Sequence, residues 1–213
     1  MVEASTRGFP LFPLGIVALP SEGVPLHIFE DRYRQMIERC LTGAPGTLDR
    51  QFGIIWLSEE ELKPIGCACE VEHVLERLDD GRLNIVVRGT RPFRLLERQD
   101  EMAFPAGIIG FLDDEPEELD EEAAKAAREL YRELVKEATD RELDDDELLA
   151  LDAYRMAATV EFAVESKQEL LELRSENARL RLLAVLLKGA LDRLDLLERA
   201  QVRALSNGKV RLG

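Results

Sequence analysis

Cys67, Cys69 and His73 are the residues whose types and spacing could do chemistry. On an extended chain these three positions share one face, so two thiols and an imidazole would project together. Cys40, from an amphipathic segment earlier in the chain, could approach as a fourth ligand. Zinc asks for tetrahedral thiolate and imidazole donors, usually from C-x2-4-C knuckles on turns. Same-face residues of a flat strand are spaced too regularly for all three to close easily on one ion. Two small cysteines packed in a core fit the spacing better, which is how free cysteine usually behaves. Cys67, Cys69 and His73 therefore stand as a metal alternative, and no metal or cofactor is expected.

Other reactions lack residues to carry them. The six serines stand singly, none in a G-x-S-x-G turn and none beside a base. The only Gly-Lys pair, Gly208-Lys209, is followed by Val210, so there is no phosphate-binding loop. His27 and His73 are the only histidines. Carboxylates are abundant, but they fall on predicted helix faces and loops, where solvated charge is the default. The sequence predicts a protein that is not an enzyme. Trp56 is the one side chain singled out for binding, against the commoner role of a strand tryptophan in a core.

The charge narrows the partners. The 213 residues carry a net charge of −15, unevenly spread. Residues 1–112 hold 12 basic and 17 acidic side chains, and residues 113–213 hold 16 and 26. Such a field repels a phosphate backbone, and no dense Lys/Arg cluster overrides it, so nucleic acid is disfavoured. No apolar run approaches the roughly eighteen residues of a membrane span. The stretch after the N-terminus is broken by Pro10, Pro13 and Pro20 and does not read as a signal peptide. An odd number of cysteines gives no disulfide framework, so the expected compartment is the cytoplasm.

The first half must supply strands. Residues 10–37 read as an extended, proline-broken segment, a short apolar run at Val24–Phe29, and an amphipathic helix. The helix buries Tyr33, Met36, Ile37, Cys40 and Leu41 on one face. Gln51–Leu57 is a short apolar strand. From Ile65 to Leu75 the pattern alternates, with Ile65, Cys67, Cys69, Val71, His73 and Leu75 on one face. Asp80-Gly81 then predicts a hairpin into 82–88. Phe93–Leu96 and Ala106–Leu112 complete about six strands, and with one helix these predict a small β-barrel.

The second half reads as helical. Eight of the ten residues from Asp113 to Glu122 are acidic, which suits a linker running into a helix N-terminus. The predicted stripe of that helix is Leu119, Ala123, Ala126, Leu130, Leu134 and Ala138. Asp144-Asp145-Asp146 caps a second helix running to about Glu165, and Ser166-Lys167-Gln168-Glu169 reads as a capping box for a short third. Ser175 caps a long fourth helix to about Leu205, with Leu180, Leu183, Leu187, Leu191 and Leu194 at three- and four-residue steps. The tail, 206–213, is expected to be disordered.

Several motifs in this order resemble the LON substrate-binding domain, the PUA-like N-terminal domain of ATP-dependent Lon proteases. They are Phe9-Pro10-Leu11-Phe12-Pro13-Leu14, Leu19-Pro20, Pro25-Leu26-His27-Ile28-Phe29-Glu30 and Arg32-Tyr33. Further on come Ile65-Gly66, Leu78-Asp79-Asp80-Gly81-Arg82, Gly89, Arg91-Pro92-Phe93-Arg94, Lys167–Glu172 and Arg179-Leu180. The resemblance implies an α+β fold: a PUA-like barrel with one short helix at 8–112, then a helical bundle at 113–205 ending in a long helix. It implies a stand-alone binder of unfolded or degron-bearing polypeptides, without ATPase or protease domains, with an adaptor to an ATP-dependent protease as one form of that role. His27 is then a structural, hydrogen-bonded side chain. The alternatives are nucleic-acid or small-ligand binding through the barrel, or an assembly module, with the chain a monomer or a dimer through its last helix.

Overall fold

The computed structural model describes residues 5–59 and 61–207. They divide into two compact units that alternate along the chain. One runs up to Pro116 and includes Tyr154–Ser175; the other holds Glu117–Ala153 and the residues from Glu176 onward. The expected single division at 112/113 thus differs from the observed one, which groups 154–175 with the strands.

The first unit has six strands: β1 (Thr6–Leu14), β2 (Gly23–Ile28), β3 (Gln51–Leu57), β4 (Leu62–Arg77), β5 (Leu83–Gln99) and β6 (Ala106–Phe111). The sheet order is β2-β5-β4-β3-β1-β6, and β5 also pairs with β6. That second pairing closes β5, β4, β3, β1 and β6 into a ring and leaves β2 attached to β5 alone. β1 and β3 are parallel, and the other pairs are antiparallel. The hairpin predicted at Asp80-Gly81 forms, with Gly81 at φ 84, where glycine carries no steric penalty.

Phe9, Leu11, Ile55, Ala68, Phe93, Ile109 and Phe111 fill the ring. Phe9 meets Phe93 edge-on at 5.6 Å and Phe111 at 6.0 Å. Phe12 alternates to the other face and packs against Tyr33 at 4.1 Å. Tyr33 belongs to α1 (Asp31–Thr42), which also buries Met36, Ile37 and Cys40, as its spacing predicts.

The β4–β5 hairpin is longer than the sequence suggests, because its outer half runs past the ring and pairs only with β2. Register shifts at Ala68/Cys69, Val71/His73 and Val74/Glu76 interrupt its alternation. Ile65–Cys69 are buried, whereas His73 and Leu75 are exposed. The single inward face predicted from Ile65 to Leu75 is therefore corrected beyond Cys69: each bulge adds a residue and turns the following side chains over.

The other helices are α2 (Glu121–Thr139), α3 (Asp145–Leu149), α4 (Ala153–Ala157), α5 (Val164–Glu172) and α6 (Glu176–Asn207). The helix predicted from 145 to 165 is two short ones. A break at 150–152 lets Leu148 serve one unit while Met156 and Phe162 are buried in the other. The capping box predicted at Ser166 does not form: α5 starts at Val164, with Ala163 preceding it and making no side-chain cap. Lys167 and Gln168 point to the strands instead, giving bonds to Glu22 and to the Ile65 carbonyl.

In the second unit Asp120 caps α2, accepting from the Ala123 amide at 3.1 Å. Its own amide donates to Asn177, and its carboxylate pairs with Arg181, so α2 and α6 begin side by side. The buried stripe of α2 is Ala124, Ala127, Tyr131 and Leu134, one position around from the predicted one. Against it lie Leu180, Leu183, Leu187 and Ala190. α6 continues to Asn207; the remaining tail residues lie outside the described ones.

The Phe93 ring sits where a Cβ at Gly53 or Gly66 would come within 2.5 and 2.8 Å of it. Phe93→Ala is expected to lower unfolding free energy by about 3–5 kcal/mol. Gly66→Ala is expected to cost about 1–3 kcal/mol through overpacking. Urea titration of both variants checks this; a Gly66→Ala protein as stable as the parent would refute the packing argument.

Candidate functional site

β2 hydrogen-bonds to β5 and has no second strand partner among the described residues. It is short and carries Pro25, a residue an edge strand accepts because one amide less is needed there. A groove of about 630 Å³ lies over β2, β5 and β4, lined by Pro25, Leu26, His27, Leu75, Glu76 and neighbouring residues of β5. Its polar floor is a row across three strands. His27 Nδ1 lies 2.6 Å from Asn84 Oδ1, and Asn84 Nδ2 donates to Glu76 Oε2 at 2.8 Å. With the Asn84 amide turned that way, the His27 proton sits on Nδ1. Phe29, 60% exposed, stacks on His27 at 5.9 Å, and Leu75, 63% exposed, projects from the last bulge of β4.

A second groove, of about 470 Å³, is lined by Ile16, Val17, Val24, Pro25, Val160, Phe162 and adjoining residues, including Glu22, Glu161 and Lys167. Pro25 lines both grooves, so they meet on β2. The wall of the second groove is braced by an ion pair, Lys167 to Glu22 at 2.5 Å, with only 14% and 17% of the side chains exposed. The other Glu22 oxygen accepts from the Leu19 amide at 2.8 Å, which ties the turn before β2 to α5.

The residues singled out from sequence are not gathered at these grooves. Trp56 is half-buried on β3, opposite Leu14, with Lys63 Nζ 5.9 Å from its ring, and it lines neither groove. Cys67 and Cys69 are fully buried while His73 is exposed, so the imidazole is not beside the thiols. Among the described residues no group of three or more His, Cys, Asp or Glu side chains is placed to hold a metal ion. His27 is hydrogen-bonded, as the resemblance implies, yet exposed. Phe29 and Leu75 carry the apolar surface, and sequence reasoning passed over both. Phe29 gave a usable signal, as an aromatic between strand and helix with no periodic place in either.

The family described as the ATP-dependent protease La (LON) substrate-binding domain matches residues 8–189. The crystal structure of a Lon N-terminal domain protein from Xanthomonas campestris is 26% identical, with a TM-score of 0.62, over 85% of this chain and 98% of that one. The N-terminal domain of a Mycobacterium avium complex Lon protease shares the fold, with a TM-score of 0.62 and 21% identity over 87% of this chain and 98% of that one. No helix among the described residues is long and apolar enough to cross a membrane.

The thiols offer a check on the packing beside the site. Burial pushes Cys40 up to about 11, against partial relief from Arg39 and Arg50. Burial, with Cys67 alongside, also raises Cys69. All three cysteines are buried, so they should resist a thiolate-selective label at pH 8 and react together on denaturation. Because the folded Cys40 value lies above the unfolded one, its contribution is complete below pH 9 and is lost as pH rises toward about 11. Rapid labelling of the native protein would overturn this placement.

Proposed function

The chain belongs to the LON substrate-binding domain family, and from that premise we propose that it binds unfolded polypeptide segments along the two grooves that meet at Pro25. The family is a non-catalytic, substrate-binding one. The observation that carries the reading is the groove lined by Pro25, Leu26 and Leu75 on a strand with no second strand partner among the described residues, with exposed Phe29 stacked on the groove's His27. An extended segment can hydrogen-bond to such an edge while alternate side chains enter the grooves, so main-chain bonds give affinity and the grooves give selection. Burying side chains of that size supplies the driving force at about 25 cal/mol per Å² of apolar surface. In this reading recognition is physical, and the bound segment leaves chemically unchanged. Delivery of the bound chain to an ATP-dependent protease, as an adaptor would do, is the extension of the same role.

Fluorescence anisotropy with a reduced, unfolded test polypeptide and its folded form as control tests the proposal. Preference for the unfolded form should persist in high salt. Replacing Phe29 and Leu75 together by serine should weaken binding about tenfold, the effect of about 1.4 kcal/mol of lost apolar contact. Trp56→Ala should leave affinity within about twofold, since that ring lines neither groove. Absence of binding at roughly tens of micromolar, or binding unaffected by the serine pair, would refute the assignment.

A further inference from the structure

We infer that the segments taken up by these grooves are cationic as well as apolar: extended stretches in which lysine or arginine flanks the apolar residues. This rests on the polypeptide-binding reading above and adds the charge class of the ligand. The first groove has one formal charge in its lining, the Glu76 carboxylate, which accepts a hydrogen bond from the neutral Asn84 amide. The second has three, Glu22, Glu161 and Lys167. There the only cation is already held by Glu22, which leaves Glu161 as the uncompensated group. Glu161 is exposed, so a cation on an incoming chain can reach it. Each groove therefore carries one negative charge that nothing in its own lining cancels, and Pro25 joins the two.

The rest of the molecule reinforces the sign. Arg88, beside β2 in the register, is committed to Glu72 and to the Ser21 carbonyl. Arg77, on the same hairpin as Glu76, is committed to Glu38. The nearest guanidinium groups of β4 and β5 are thus engaged with carboxylates, and the whole chain adds a field of net charge −15. An acidic segment would meet repulsion at both grooves and find no free cation among their linings. A lysine on either side of an apolar core would meet a carboxylate at each end of the track. Attraction of this kind raises the rate of encounter and selects among segments of equal apolarity.

The experiment uses the full chain and three labelled unstructured peptides with one shared apolar core, flanked by lysine, by serine or by glutamate. Anisotropy is measured at low and at high salt. The lysine-flanked peptide should bind about tenfold more tightly than the glutamate-flanked one at low salt, as two exposed ion pairs would give. The difference should shrink to about twofold near 1 M salt, where the screening length falls to about 3 Å. Glu76→Lys with Glu161→Lys should reverse the order. The same exchange at Glu133 and Glu137, which line neither groove, should preserve it. Equal binding of all three peptides would overturn this inference while leaving apolar recognition standing. No binding of any peptide would overturn the underlying reading instead. Loss of the preference in the Glu133/Glu137 variant would also overturn the inference, by assigning the effect to overall charge.

Discussion

The Phe93 ring occupies space that side chains at positions 53 and 66 would need, and the closure of the sheet depends on that exchange of volumes. A ring of five strands has a narrow interior that a few large side chains must fill without voids. Phe93 does so from β5, which pairs with β4 on one side and β6 on the other. Phe9 meets both Phe93 and Phe111 edge-on, so β1 and β6 are held to the same centre. Smaller residues at 93 would leave a cavity, and larger ones at 53 or 66 would push β3 or β4 outward. Either change loosens the strand that also carries β2.

The position of β2 follows from this closure. Once both edges of β5 are used inside the ring, only the part of β5 that runs past it can accept a further strand. β2 takes that place and has no strand on its other side among the described residues. An exposed edge is a hazard, because it can pair with a like edge on another molecule. Here the strand is six residues long, contains a proline and shares a groove with the Glu76 carboxylate. These features discourage pairing between identical acidic copies. In the proposed binding mode the same carboxylate favours a foreign segment of opposite charge.

Much of this was legible in the sequence, and the exceptions share one cause. Gln51–Leu57, the amphipathic helix from Asp31 and the Asp80-Gly81 hairpin follow from local spacing and turn chemistry, and they form as expected. What the spacing could not show was where the chain changes its packing partner. The hairpin bulges turn His73 and Leu75 outward because β4 leaves the ring near Cys69, a tertiary event with no mark in the alternation. α2 buries Ala124, Ala127 and Tyr131 instead of the neighbouring alanines because Asp120 anchors it to Asn177 and Arg181, some sixty residues away. The exposure of Leu75 has the same origin, since plain alternation places it inward.

The alternating units bear on how the grooves are kept in shape. α5 lies late in the chain, yet Lys167 and Gln168 bond to Glu22 and Ile65 in the strands. Without α5, Glu22 would lose the Lys167 ammonium and keep only the Leu19 amide as a partner. The Ile65 carbonyl would also lose its Gln168 donor, and one wall of the second groove, which runs from Ala158 to Lys167, would be missing. A fragment ending at residue 112 would thus retain the strands that form the ring but lose what orders the turn before β2. The proposed binding surface is consequently a property of the first unit with 154–175 in place. The strands supply its floor, and a segment separated from them by forty residues supplies its wall.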